Sequence, residues 1–134
     1  MKKTRRQIAR EKATIGVYQN LLTEQTLGEI DMFLKQEKVL NDDEELMEFS
    51  HWLVETVLKN KDSYKKMLSQ YLKKGWTFDR LNTMERAILL IATCELLESD
   101  LSEKIVINEA IILAKEYCDE ESYKFINGVL SQVV

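Results

Sequence analysis

The residues best suited to chemistry lie in the first twelve positions, where six side chains are basic and one is acidic. The basic residues are Lys2, Lys3, Arg5, Arg6, Arg10 and Lys12. The segment therefore carries a net charge of +5 within a chain whose net charge is −4. Ammonium and guanidinium groups bind phosphate, so a nucleic-acid backbone is one candidate ligand, and a solvated tail is the alternative. Cations at a helix start oppose the helix dipole, so helix stability does not explain them.

Other polar residues offer little sign of catalysis or of metal binding. Asn108 and Glu109 lie side by side in the stretch VINEAI, but its helical pattern is apolar and contains no nucleophile. His51 is the single histidine and has no cysteine nearby, so a zinc site is not expected. Cys94 and Cys118 lie in apolar helical patterns and, without an export signal, are expected to be reduced thiols. We expect no catalytic residue, no metal ligand and no cofactor.

The C-terminal stretch EESYKFINGVL contains a second group that could bind a ligand. Its apolar stripe consists of Tyr123, Ile126, Leu130 and Val133. Phe125 projects roughly 110° from that stripe at 100° per residue. Beside Lys124, an accessible Phe125 could stack on an unpaired base, and the alternative is that it packs against another helix. Asn127 could contact a base edge or bond across a helix seam, and Gly128 suggests that another backbone approaches closely.

Apolar residues recur at three- and four-residue spacing along most of the chain, which has four glycines and no proline. This pattern predicts seven helices in one all-α domain, residues 1–134. The first helix is expected over residues 4–22 with Ile8, Ile15, Tyr18 and Leu22 on its apolar face. The stretch NKDSYKK is expected to separate the third helix from the fourth.

Three helix starts are predicted from capping residues, and a membrane span is not expected. Asp42 with Glu45, Asn82 with Glu85, and Ser102 stand where a cap is required. No apolar run approaches the roughly 20 residues that would cross a bilayer. We therefore expect a cytoplasmic protein that makes no membrane contact.

Three segments together resemble the NusB family of transcription antitermination factors. They are RRQIAR…A…VY, W…DRLNTMERAILLIATCELL and VINEAIILAKEYCDEESYKFINGVL, and they cover essentially the whole chain. The resemblance implies two three-helix bundles packed across each other. It also implies binding to the single-stranded boxA element of ribosomal RNA transcripts. The implied partners are the small-subunit ribosomal protein that acts as NusE and the antitermination complex on RNA polymerase.

The resemblance also assigns individual residues. It implicates Arg6 and Arg10 in RNA binding, with Lys2, Lys3 and Arg5 as further phosphate contacts. On the last helix it implicates Glu121, Lys124, Phe125 and Asn127. Tyr18 and Glu85 match positions that dock the ribosomal protein. Family members often carry a third arginine where this chain has Gln7 and Ile8, which implies a modest affinity for RNA alone.

Two other functional classes are considered beside an RNA-binding factor. The chain could be a protein-interaction module or a homodimer with little RNA affinity, which its overall acidity permits. NusB-like domains also occur fused to RNA cytosine methyltransferases, but this sequence has no glycine-rich cofactor loop. We therefore expect no enzymatic activity.

Overall fold

The computed structural model describes residues 2–134 and contains seven α-helices and one short 3₁₀ helix in that range. The helices are α1 (Arg5–Thr23), α2 (Leu27–Lys35), α3 (Lys38–Asn41), α4 (Glu44–Ser69), α5 (Thr83–Glu98), α6 (Glu103–Tyr117) and α7 (Glu120–Val133). The 3₁₀ helix spans Phe78–Arg80, between α4 and α5. No strand occurs among these residues, so the predicted all-α class is confirmed.

The number of helices agrees with the prediction, but the division of the chain between them differs. The predicted break at NKDSYKK is wrong, because α4 continues through that stretch. The stretch contains neither glycine nor proline, and Tyr64 and Leu68 continue the buried face of the helix. The seventh helix of the count is instead the single turn α3, which the sequence pattern did not separate from α2.

The predicted caps are confirmed at two of three helix starts. Asn82 and Glu85 form a reciprocal capping box at the start of α5, and Ser102 caps α6. For α4, the cap is Asp43 and not Asp42, because the side-chain oxygen of Asp43 accepts the backbone N–H of Leu46 at 3.1 Å. The cap lies one residue later than predicted, but an aspartate carboxylate still caps the helix.

Two three-helix bundles share a junction at α1. Helices α1, α2 and α4 pack together, with α3 against them, and α5, α6 and α7 form the second bundle. Because α1 also packs along α5, and α4 packs on α5 as well, the bundles are joined over a wide face. Within residues 2–134, no helix is both long and apolar enough to span a membrane.

The position of α1 between two helices changes which of its residues are buried. The predicted apolar face is wrong at Leu22, which is exposed, and Ile8, Ile15 and Tyr18 are only half-buried. The residues that form the buried contact are mostly small, because two helices approach α1 closely. They include Ala9, Ala13, Gly16 and Val17.

Close approach occurs at Gly16 and not at the glycine predicted from sequence. A Cβ on Gly16 would lie 2.6 Å from Cγ2 of Ile30, a separation that packed atoms do not tolerate. Gly128 has no atom within 4 Å of the position its Cβ would take, so the predicted close approach there is wrong. The glycine that matters for packing is therefore in the N-terminal bundle.

Candidate nucleic-acid interface

Arg10 is an interior residue, which corrects its predicted role as a phosphate contact. Its side chain is 6% exposed. Nε and Nη2 donate to the two carboxylate oxygens of Glu95 at 2.6 and 2.9 Å, and Nη1 lies 3.8 Å from Glu109. The guanidinium has no free face for phosphate, because α1 turns it towards α5 and α6. Residue type and spacing could not distinguish it from the exposed Arg6.

Lys3 holds the N-terminal segment against the end of α6. Its ammonium lies 2.6 Å from carboxylate oxygens of both Glu11 and Glu116. Tyr117 donates its hydroxyl to the same oxygen of Glu11. Burial alone would raise the pKa of Glu11, but the hydrogen bonds from Lys3 and Tyr117, with the charges of Lys3 and Lys12, lower it below its usual range. The segment before α1 is therefore positioned close to the corner between α6 and α7.

Two further N-terminal cations form ion pairs nearer the surface. Arg5 lies 2.7 Å from Asp43, and Lys12 lies 3.7 Å from Glu37. The Arg5 side chain is largely exposed, so its pair is weakened by solvent and by salt. A phosphate could compete for Arg5 at small cost, because the ion pair contributes little in water.

Arg6 and Lys2 are two exposed residues among the predicted phosphate contacts. The guanidinium carbon of Arg6 lies 3.9 Å from the ring centroid of Phe49, so the ring positions this exposed cation. Lys2 is exposed ahead of the helix. Within residues 2–134, neither has a carboxylate within ion-pair distance.

The predicted residues on α7 lie on its outer side in different settings. Lys124, Asn127 and Glu121 are exposed, and Lys124 lies 3.2 Å from Glu120 one turn earlier. Phe125 is half-buried, with part of its ring packed on the core. Packing against the core, one of the two sequence interpretations of Phe125, is therefore observed. The ring is also partly accessible, and base stacking stays a prediction.

A groove of about 370 Å³ joins several of these residues to the start of α5. Its lining consists of Lys73, Trp76, Leu81, Asn82, Glu85, Asp119, Glu121, Ser122 and Phe125. Glu85, expected at the partner contact, thus lies in the same groove as Phe125 and Glu121, expected at RNA. Tyr18 does not line it and is half-buried on α1.

Glu85 also has a structural role in this groove. One of its oxygens accepts the Asn82 backbone N–H at 3.1 Å, and the other accepts the hydroxyl of Ser122 at 2.6 Å. The first bond closes the capping box of α5, and the second joins α5 to α7. Trp76 was not predicted as a site residue, although its place after Lys73, Lys74 and Gly75 was a signal available in the sequence.

A sequence model described as the NusB family matches residues 7–134. The chain belongs to the NusB family. Among relatives, the transcription antitermination protein NusB of Staphylococcus haemolyticus is 39% identical over 133 residues, which cover 94% of this chain and 99% of that protein. The match over nearly the whole of both proteins confirms the resemblance found in the sequence.

Solved NusB structures share the fold along most of the chain. NusB of T. maritima superposes with a TM-score of 0.83 at 30% identity, covering 99% of this chain and 92% of that one. A crystal structure of the antitermination factors NusB and NusE in complex with dsRNA gives a TM-score of 0.80 at 27% identity. That match covers 96% of this chain and 95% of the other.

The remaining polar candidates have structural partners in this NusB-family chain. Glu109 accepts two hydrogen bonds from Gln7 at 3.1 and 3.2 Å, as expected of a half-buried carboxylate. His51 lies 2.7 Å from Asp31 and joins α4 to α2. Burial raises the pKa of the Cys94 thiol to about 12, so this thiol stays protonated and unreactive.

Proposed function

We propose that this chain is an antitermination factor that binds boxA RNA of ribosomal RNA transcripts together with NusE, within the antitermination complex on RNA polymerase. The observation that carries the proposal is the similarity to NusB in the crystallised NusB–NusE complex with dsRNA, which extends over 96% of this chain. Because the similarity includes both bundles, the surfaces formed by α1 and by α7 are available in the same arrangement.

The proposed RNA surface begins at the N-terminal segment and continues onto α7. Lys2 and Arg6 are its principal phosphate contacts, since both are exposed and positioned at the start of α1. Lys3 and Arg5 contribute after exchanging their carboxylate partners for phosphate. The α7 contacts are Glu121, Lys124, Phe125 and Asn127. Arg10 is left out, because its guanidinium is bonded within the interior.

Proximity of the two halves is supported by the contact between Lys3 and Glu116. Glu116 lies near the end of α6, and α7 begins at Glu120. Lys115, its neighbour, lies 4.9 Å from the ring centroid of Tyr123 on α7. The N-terminal segment therefore meets α6 at the turn that leads directly into α7.

Tyr18 and Glu85 are proposed to dock the ribosomal protein. Glu85→Gln keeps an oxygen for the capping box while it removes the charge, so it should weaken the partner complex with little loss of stability. Glu85→Ala should weaken the complex and also cost about 1 kcal/mol of stability through the lost cap. Unchanged partner affinity in Glu85→Gln would exclude a charge-dependent role.

Binding of a labelled boxA oligonucleotide tests the proposal. Fluorescence anisotropy would be measured with single-stranded boxA, with its duplex and with a scrambled strand, each with and without the ribosomal protein. We expect a preference for single-stranded boxA over the scrambled strand, and an affinity that rises when the partner is added. Equal binding to boxA and scrambled RNA in both series would refute sequence-specific binding.

A protein-interaction module, alone or as a homodimer, is the second candidate. The observation that favours it is the pairing of four of the six N-terminal cations with carboxylates of the same chain. Such pairing reduces the charge available to phosphate. Under this alternative, the chain binds the ribosomal protein or itself in sedimentation experiments, and RNA adds nothing to either complex.

A further inference from the structure

Two aromatic side chains from distant parts of the sequence line the same groove. Phe125 comes from α7, and Trp76 comes from the connection between α4 and α5. Trp76 is 53% exposed, although tryptophan carries a large apolar surface. No packing requirement explains this exposure, because the same connection buries Phe78 and Leu81 in the core.

A defined turn holds Trp76 at the groove. The Trp76 backbone N–H donates to the carbonyl of Lys73 at 2.9 Å, and Gly75 between them has a φ of +89°. This arrangement is a type II turn, which needs glycine at its third position. The buried Phe78 and Leu81 anchor the chain directly after it. Trp76 is thus presented by an ordered turn.

Cations surround this aromatic side chain. Lys73 lines the groove, Lys74 is exposed in the same turn, and the guanidinium carbon of Arg80 lies 5.7 Å from the Trp76 ring. Within residues 2–134, none of these three has a carboxylate within ion-pair distance. Accessible aromatic faces flanked by unpaired cations are typical of sites for single-stranded nucleic acid.

The carboxylates in the groove do not prevent this use. Both oxygens of Glu85 are already bonded, to Asn82 and to Ser122. Asp119 caps α7 by accepting the backbone N–H of Ser122 at 2.9 Å. These charges also lie at the starts of α5 and α7, where the helix dipoles offset them. Glu121 is exposed, and it can accept a hydrogen bond from a base amino group.

We propose that this groove binds one unpaired nucleobase of the RNA, stacked against Trp76 as well as Phe125. The inference deepens the proposed function and depends on it. The groove volume of about 370 Å³ is in the range of small-ligand sites. Lys73 lines the groove and Arg80 lies beside the Trp76 ring, so we assign these two cations to the phosphates that flank the stacked base. Glu85, proposed to dock the ribosomal protein, lines the same groove, but the two aromatic side chains and the cations beside Trp76 favour a base as the occupant.

The test compares Trp76→Ala and Trp76→Phe with the control Met32→Ala. Met32 is an apolar residue on α2 that is 67% exposed and does not line the groove. Affinity for single-stranded boxA RNA would be measured with and without the ribosomal protein, after thermal denaturation shows that each variant is folded. We expect Trp76→Ala to bind roughly 5- to 100-fold more weakly, Trp76→Phe to retain most of the affinity, and Met32→Ala to match the wild type.

RNA with one abasic position identifies the stacked base. Scanning the abasic position along the strand should reveal one site at which wild-type affinity falls, and Trp76→Ala should show no further loss at that site. Trp52→Phe leaves Trp76 as the remaining tryptophan, and its fluorescence should change when RNA binds.

Each alternative outcome has a separate meaning. If the wild type binds boxA and Trp76→Ala binds equally well, the stacking role is refuted while the proposed function stands. If Trp76→Ala loses only affinity for the ribosomal protein, the occupant is a protein side chain and the inference is also wrong. If the wild type binds no RNA with or without its partner, both the inference and the proposed function fail.

Discussion

Arg10 and Glu95 form a buried ion pair through two hydrogen bonds of 2.6 and 2.9 Å, and this pair joins α1 to α5. Their side chains are 6% and 2% exposed, so each charge loses its hydration and is compensated by the opposite charge of its partner. The contact crosses from the N-terminal bundle to the C-terminal bundle. One of the six N-terminal cations therefore serves the junction between the bundles and not a ligand.

Removal of Arg10 should destabilise the protein strongly. Arg10→Ala leaves Glu95 as a buried charge without its partner, so the free energy of unfolding should fall by about 3–5 kcal/mol in urea denaturation at pH 7. The double variant Arg10→Met with Glu95→Leu should recover most of that loss, because well-packed apolar residues replace both charges. Arg5→Ala, at an exposed pair, serves as the control and should change stability little. If Arg10→Ala has normal stability but a lower affinity for RNA, then Arg10 contacts phosphate after all.

Accessible cations should govern the salt dependence of RNA binding. Replacing both Lys2 and Arg6 with alanine should reduce the magnitude of the slope of log affinity against log salt by about 1.4, at ~0.7 for each phosphate contact on a single strand. Lys59→Ala, an exposed charge on α4, should leave the slope unchanged. Titrations at several KCl concentrations measure both values. If the Lys2 and Arg6 double variant has the same slope as Lys59→Ala, then Lys2 and Arg6 do not contact the RNA.

Gly16 on α1 and Gly128 on α7 should respond in opposite directions to replacement by alanine. Gly16→Ala forces a methyl group to within 2.6 Å of Ile30, and overpacking of this kind costs about 1–3 kcal/mol. Gly128→Ala meets no neighbouring atom and should stabilise α7 by about 0.5–1 kcal/mol. Thermal denaturation of the two variants gives the comparison directly. A stabilised Gly16→Ala would mean that α1 and α2 are less tightly packed than the structure indicates.

Much of the fold could be predicted from local sequence signals. The capping box at Asn82 and the cap at Ser102 depend on neighbouring residues alone, so the starts of α5 and α6 were correct. The buried face of α1 depends on which helices pack against it, and α5 lies far along the chain. For that reason the small residues Ala9, Ala13 and Gly16 were not identified as the contact surface of α1.

The site could be predicted only in part, for a related reason. Lys124 and Asn127 are exposed because they lie off the apolar stripe of α7, which periodicity identifies. Arg6 and Arg10 have the same charge and are one turn apart, yet one stacks on Phe49 and the other is bonded to Glu95. Those partners lie on α4 and α5, so no pattern within α1 separates the two arginines. Trp76 was not predicted as a site residue, because it forms a groove only together with Phe125, which is distant in sequence.

Acid should remove the contribution of Glu11 to stability. Because the folded pKa of Glu11 lies below its ordinary value of 4.5, its stabilisation is fully present above that pH and is lost as pH falls through the folded pKa. Burial raises the pKa of Glu11, but the hydrogen bonds from Lys3 and Tyr117, together with the charges of Lys3 and Lys12, outweigh that effect. The difference in unfolding free energy between the wild type and Glu11→Gln should be constant from about pH 5.5 to 8 and should narrow below about pH 4.5.

The titration of Lys3, which is bonded to Glu11, does not overlap with the acid titration of Glu11. The pKa of Lys3 is raised above its ordinary value of 10.5, since its bonds to Glu11 and Glu116 outweigh the opposing effect of burial. Its contribution is therefore lost only as pH rises above that value, outside the acid range. Glu98→Gln, on the exposed side of α5, corrects for the loss of one negative charge. A difference between wild type and Glu11→Gln that persists unchanged at pH 3 would show that Lys3 and Tyr117 do not stabilise the ionised Glu11 carboxylate.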